Sequence, residues 1–230
     1  MLFISWLARP SSEYQASCLK HILPESFNYE EKHRNATEKA PFSNQFSEEL
    51  GKDGYTLSHS RVRIGSGLQA YQKGKQLLNK WGHFQLRWAW VESSTCIKVG
   101  QKFCVCSQEL VPWILMPLQI LYVNDHKSSN DIHPSPSYNT VGLRNVPNIP
   151  NLKAIYCFGS GTLQGHLLAG EERFSVELDE DDNVWYEILS FSRPAHVLSF
   201  VAQPYVCLKQ KIFAQQSTQA MLKAISERGV

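Results

Sequence analysis

The sequence has no CxxC pair, no apolar run long enough to span a bilayer and no excess of one charge. Each absence removes a class of function. Its six cysteines, Cys18, Cys96, Cys104, Cys106, Cys157 and Cys207, are scattered, and no His-rich segment supplies metal-ligand spacing. A structural zinc site or a dithiol redox centre is therefore not expected, nor is any metal or cofactor. Cys104-Val105-Cys106 reads as a strand with both thiols on one face, as small buried hydrophobes. Unpaired cysteines fit a reducing compartment, so an intracellular chain is expected and the Asn35-Ala36-Thr37 sequon is read as idle. The longest apolar stretch, residues 110–123, is interrupted by Pro112, Pro117 and Gln119 and falls short of the roughly 20 residues of a spanning helix. The apolar start, residues 1–7, lacks the basic flank and full apolar region of a signal peptide. With 23 basic and 21 acidic residues the net charge is +2, too balanced to argue for nucleic acid, whose phosphates need a concentrated basic patch. Lys73, Lys75 and Lys80, and likewise Lys209 and Lys211, read as solvated helix faces. Gly159-Ser160-Gly161 has neither the strand-to-helix setting nor the following lysine of a phosphate loop, and reads as a bulge or bend.

What is present is an ordinary globular composition, 43% hydrophobic and 19% charged over 230 residues, enough for one substantial core. Residues 1–50 have little periodicity and read as an N-terminal arm, with one short helix near residues 12–21 capped by Ser11 or Ser12. Residues 51–230 read as a single α+β domain. After the Asp53-Gly54 turn, residues 55–64 alternate as a strand of mixed burial. Gly65-Ser66-Gly67 ends it, and Ser66 with Gln69 forms a capping-box pattern for a helix. Leu68, Tyr71, Leu77, Leu78 and Trp81 lie along its apolar side.

A run of strands follows. Phe84, Leu86, Trp88 and Trp90 alternate at period two, the clearest strand pattern in the chain. Further strands are expected over 102–107, 118–124, 154–159 and 162–168. Residues 173–178 and 184–191 should form a hairpin across the acidic turn 179–183, with Phe174, Val176 and Leu178 on one face and Ser175 and Glu177 on the other. Pro204 should start or kink a last helix whose buried stripe is Tyr205, Leu208, Ile212, Met221 and Leu222. An antiparallel sheet wrapping a long C-terminal helix is the helix-grip arrangement, which leaves a cavity between the two. Residues 126–153, with Pro134, Pro136, Pro147 and Pro150 and no period, read as a disordered insertion.

Several motifs together resemble the DUF1990 (UPF0548) family in its plant form. They are Gly161-Thr162-Leu163-Gln164-Gly165-His166, Gly170-Glu171-Glu172-Arg173-Phe174, Val184-Trp185-Tyr186-Glu187-Ile188 and Ser190-Phe191-Ser192-Arg193-Pro194-Ala195. Upstream, Trp6, Arg9-Pro10-Ser11-Ser12-Glu13, Phe27-Asn28-Tyr29, Gly65-Ser66-Gly67 and Pro112-Trp113 extend the resemblance over nearly the whole chain. It implies a Bet v 1/START-like helix-grip fold, in agreement with the order of elements. It also implies likeness to a chloroplast outer-envelope protein described as a cation-selective channel. Residues 126–153 look like extra material relative to the family.

His166 with Glu171 and Glu172 is the most site-like constellation, since a histidine beside a carboxylate can act as a base or bind a ligand. The plainer reading is that Gly165 and Gly170 bracket a bend whose backbone groups His166 and Glu171 satisfy. Trp88, Trp90 and Trp185 fall on expected strands, where they fill the core or line a pocket. Glu187 could face the same cavity as Glu177, or face solvent. The ligand-binding set expected is Trp88, Trp90, His166, Glu171, Trp185 and Glu187. The function expected is a non-enzymatic binding module for a hydrophobic small molecule or lipid, cytoplasmic or attached peripherally to the chloroplast outer envelope. The alternatives are an envelope cation channel and an enzyme using His166 and Glu171. A monomeric pore is disfavoured, because it needs at least about eight strands with an apolar outer band.

Overall fold

The computed structural model describes residues 2–6, 8–23, 25–39, 42–127 and 152–227. The expected insertion lies almost wholly outside them. Eight strands form one antiparallel sheet: β1 Phe3–Ser5, β2 Thr56–Ser66, β3 Ala89–Trp90, β4 Lys102–Gln108, β5 Trp113–Lys127, β6 Leu152–Thr162, β7 Leu168–Asp179 and β8 Asn183–Pro194. Their order is β2-β8-β7-β6-β5-β4-β3, and β1 pairs with the first residues of β5. The hairpin of β7 and β8 is where the alternation puts it. Asp182 takes a left-handed conformation in the turn, and the Asp179 carboxylate accepts from the N–H groups of Asp181 and Asn183. Register shifts in β2, β5 and β6 curl the sheet, as extra residues on one strand of a pair do.

Helices α1 Ser12–Lys20 and α2 Asn44–Lys52 belong to the segment read as an N-terminal arm; α3 Gly67–Asn79, α4 Val197–Val201 and α5 Gln203–Ser226 come later. Ser11 caps α1 through the Tyr14 N–H, as expected. The concave face of the sheet holds α3 and α5 around a core of Tyr71, Leu78, Phe158, Phe174, Val176 and Met221. Burial of each large side chain there stabilises the fold by about 1.5–3 kcal/mol. At Gly74 an added Cβ would lie 3.1 Å from Val176, so α3 rests close on the sheet. The convex face is clothed by the N-terminal residues. Cys18 and Ile22 pack there with Phe3, Cys104, Cys106 and Trp113, and Tyr29 and Leu50 pack with Tyr55 and Phe191. The curled antiparallel sheet gripping a C-terminal helix is the fold class expected.

Five local expectations need correction. Residues 84–90 are not a strand apart from Ala89 and Trp90. Trp81 adopts φ 56°, Gly82–Phe84 forms a 3-10 turn, and the aromatic spacing reflects packing in several directions. Residues 163–167 form a turn, because β6 runs to Thr162 and Gly165 takes φ 95°. Ser66 makes no cap; its hydroxyl and the Gly67 N–H both donate to the Asp182 carbonyl, tying α3 to the β7–β8 turn. Gly159 and Gly161 lie within β6, where an added Cβ would sit 2.3 Å from the Tyr122 ring and 2.5 Å from the Tyr29 hydroxyl. The bulge is on β5 opposite, between Ile120 and Tyr122. Finally, Tyr205, Leu208 and Leu222 of α5 are exposed, and its buried residues are Ser217, Thr218 and Met221.

Candidate functional site

Those buried residues all lie in the C-terminal half of α5, where Ser217 bonds the Tyr186 hydroxyl at 2.7 Å. The N-terminal half stands away from the sheet, and a cavity of about 320 Å³ lies between them. Its size is within the range of small-molecule sites, roughly 300–1,000 Å³. The cavity has two unlike walls. Phe84, Trp88, Val105, Met116 and Leu118 form one side with Phe213 of α5, and this side is apolar. The other side is built by β2, β7 and β8, which present Ser58, Ser60, Ser190, Ser192 and Glu172. His166 and Ser199 close one end.

Strand register explains the polar wall. Glu172 lies opposite Ser160 on β6 and Ser190 on β8, and Ser190 lies opposite Ser58 on β2. Residues directly opposed in antiparallel strands share a face, so a hydroxyl row crosses the concave surface with one carboxyl in it. No hydrogen bond or ion pair to the Glu172 side chain is formed among the described residues. Desolvation alone pushes the pKa of this half-buried carboxyl up to about 8, which favours its protonated form near neutral pH.

His166 also borders the cavity. Its Nδ1 lies 2.9 Å from both the amide nitrogen and the carbonyl oxygen of Leu168. Burial lowers its pKa to about 4, against the opposing pull of the Leu168 backbone. The imidazole is neutral and fixed. Trp88 is fixed as well: its Nε1 donates to Gln216 at 2.8 Å, and the Lys209 ammonium sits 3.6 Å above its ring. Lys209 is shared with Glu109, 3.5 Å away, which also accepts from Tyr205 and Ser107.

Trp88 and His166 are thus the two expected site residues whose side chains the structure brings to the cavity. Glu171 points the other way. Its carboxylate accepts from the Tyr29 hydroxyl at 2.7 Å, the N–H groups of Asn35 and Thr37 at 2.7 and 3.0 Å, and the Thr37 hydroxyl at 2.9 Å. Burial raises its pKa while these donors pull it back. Trp90 packs on the convex side, with the Arg9 guanidinium 5.0 Å from its ring. Trp185 is convex too; Arg61 lies 4.2 Å from its ring and its Nε1 donates to Asp179 at 2.8 Å. Glu187 is on the same outer face, 3.5 Å from His59 and 3.6 Å from Arg61. The residue missing from the expected set is Glu172. Its signal was parity: along β7 it shares a face with Phe174, Val176 and Leu178, whereas Glu171 shares one with Ser175 and Glu177. Among the described residues no group of three or more His, Cys, Asp or Glu could hold a metal ion.

Residues 39–220 match the family described as a domain of unknown function, DUF1990. A UPF0548 protein of Arabidopsis thaliana is 44% identical over 226 residues, covering 98% of this chain and 99% of that protein. A UPF0548 protein of Dictyostelium discoideum is 29% identical over 179 residues, covering 74% and 73%. Among solved structures, that of Ara h 8.0201 aligns with 76% of this chain and 100% of its own at 10% identity, with a TM-score of 0.43.

Proposed function

The chain belongs to the DUF1990 family, and from the geometry of its cavity we propose that it is a non-enzymatic binding module for a hydrophobic small molecule or lipid. The observation that carries this reading is the cavity of about 320 Å³ between the concave sheet face and the N-terminal half of α5. The cleft leaves apolar lining atoms such as those of Trp88 and Phe213 uncovered by other protein groups. A ligand with an apolar body would cover them. The fixed aromatic Trp88 and the neutral His166 suit recognition, where rigid walls reduce the entropy lost on binding. The alternative of an enzyme using His166 with Glu171 finds less support, since the Glu171 carboxylate is committed to Tyr29, Asn35 and Thr37 on the opposite face. The envelope-channel reading rests on resemblance alone. No helix among the described residues is long and apolar enough to cross a membrane, so attachment to one would be peripheral or through strands.

Native mass spectrometry of the purified full chain, followed by organic extraction, tests the proposal. A stoichiometric hydrophobic adduct is expected, and Ala214→Phe, which fills the cavity from α5, should abolish it. A chain that carries nothing and takes up no apolar probe would sink the binding reading.

A further inference from the structure

We infer that the cavity selects an amphiphilic amine, seating an ammonium head on Glu172 and an apolar body against Trp88 and Phe213. This rests on the binding reading above and names its ligand class. Three carboxyl-bearing residues border the cavity: Glu109, Glu171 and Glu172. Glu109 is taken by Ser107, Tyr205 and Lys209. Glu171 is satisfied on the far side of the sheet by the donors of Tyr29, Asn35 and Thr37. Glu172 alone receives nothing among the described residues. Glu172 is half-buried and faces the cavity, so a ligand that supplies a well-placed partner there gains a hydrogen bond that no protein group makes.

The chemistry of the partner follows from what surrounds the carboxyl. The cationic residue at the cavity is Lys209, already divided between Glu109 and the face of Trp88. An anionic head would find no free cation and would meet Glu172 itself. A neutral hydroxyl could exchange one ordinary hydrogen bond with the protonated acid. An ammonium gains more, because a charge-assisted bond is about twice as strong as a neutral one and the low dielectric strengthens the attraction. A buried ion pair is favourable only when its remaining protons are also bonded. Ser190 on β8 and Ser160 on β6, directly opposite Glu172 on either side, flank the carboxyl with hydroxyl oxygens.

Binding then has a proton signature. Free Glu172 is held protonated by burial; seating an ammonium against it ionises the carboxyl and releases its proton to solvent. The groups that face it are Tyr186 on β8, His166 in the β6–β7 turn and the Glu109–Lys209 pair. Tyr186 is pushed well above its ordinary range by burial and His166 down to about 4, so neither titrates near neutrality.

Isothermal titration of the full chain with octylamine, 1-octanol and octanoate, in buffers of different ionisation enthalpy, tests this. Octylamine should bind about tenfold tighter than 1-octanol or better, with octanoate weakest and close to one proton released per amine at pH 7. Glu172→Gln should bring octylamine to the level of 1-octanol and abolish the proton release. Ser190→Ala, a smaller change that keeps the carboxyl, should weaken octylamine alone by a few fold. Equal binding of amine and alcohol, unmoved by Glu172→Gln, overturns amine selection and leaves the binding reading standing. Failure of all three probes to bind the wild-type chain overturns both.

Discussion

Glu171 and Glu172 are neighbours on β7, and the pleat turns the first outward and the second inward. Outward, the carboxylate meets four donors from Tyr29, Asn35 and Thr37 and becomes the clasp that holds the N-terminal segment to the sheet. Inward, it meets serines, hydrocarbon and empty space. The same contrast holds for the two faces as wholes. On the convex side Glu177 bonds Arg61 and Ser175, with Arg173 3.9 Å away, while Glu187 has His59 and Arg61. The convex carboxylates Glu171, Glu177 and Glu187 all find partners within the protein, whereas the inward carboxyl of Glu172 faces the cavity. An identical side chain is structural on one face and available on the other, and the difference is one residue of register.

The most severe test of that register is Gly170→Ala, just before the pair. An added Cβ would lie 1.9 Å from the Phe191 carbonyl oxygen at a φ of 153°, so β7 and β8 must separate. We expect a loss above about 4 kcal/mol, in the range of single changes that abolish folding, read as an absent cooperative transition in urea. Next in size is Glu171→Gln. The amide brings N–H groups to a site furnished with donors, leaving buried ones unpaired, at a cost of about 3 kcal/mol. Glu172→Gln in the same assay should cost less than about 1 kcal/mol, since it replaces an acid that is already neutral. Reversal of that order would end the comparison.

How far the sequence shows these two faces depends on the element. In the β7–β8 hairpin, alternation of Phe174, Val176 and Leu178 with Ser175 and Glu177 is unambiguous because both faces are densely packed. The same alternation over Phe84, Leu86, Trp88 and Trp90 is accidental: Phe84 joins the inner core, Trp88 stands against α5, and Trp90 packs on the outer side. Helix α5 misleads for the opposite reason. Its sheet-facing residues include Lys209, Gln210, Ser217 and Thr218, which line the cavity or pack closely on the sheet, beside Phe213 and Met221 of the core, so of the expected stripe Met221 is buried while Tyr205, Leu208 and Leu222 are exposed. The family motifs name the strands that carry the site. Which member of the Glu171-Glu172 pair faces inward follows only once that alternation is carried two residues back from Phe174.

Titration separates the two glutamates more gently. The folded Glu172 pKa of about 8 lies above its ordinary 4.5. The native state therefore binds more protons than the unfolded state between those values, and stability falls as pH rises through that window. The buried His83 and the half-buried His166, lowered to about 3 and about 4 from 6.5, act in the other direction. Their unfolded forms take up protons below pH 6.5, so stability falls as pH drops towards 4. The histidine contributions fade only as pH rises well past 6.5, but they are common to the wild-type chain and Glu172→Gln, so the difference between the two isolates Glu172, with a slope of at most about 1.4 kcal/mol per pH unit. Between pH 6.5 and 8 the urea midpoint of the wild-type chain should fall relative to that of Glu172→Gln. His59, whose pKa is raised by its bond to Glu187, contributes equally to both proteins and cancels in their difference. Parallel curves would mean that the carboxyl is not excluded from solvent.

The mildest comparison pairs two tryptophans with a cation over each ring. Lys209 lies 3.6 Å from the ring of Trp88 and Arg61 lies 4.2 Å from that of Trp185. Each indole N–H also donates to a side chain, Gln216 or Asp179. Replacement by leucine should therefore cost similar stability in both places, about 1 kcal/mol for the lost cation–π contact and hydrogen bond beyond the change in packing. Ligand affinity should respond only on the concave side. Trp88→Leu removes a rigid aromatic wall and frees Lys209 to move, so uptake of 1-octanol should weaken by about tenfold, as truncating a buried aromatic anchor does. Trp185→Leu should leave it within about twofold, because the sheet itself lies between that ring and the cavity. Titrating both variants with 1-octanol keeps the measurement independent of Glu172, since the alcohol brings no charge. Equal weakening in the two would show that affinity follows general stability, and the assignment of ligand binding to the inner face would then fail.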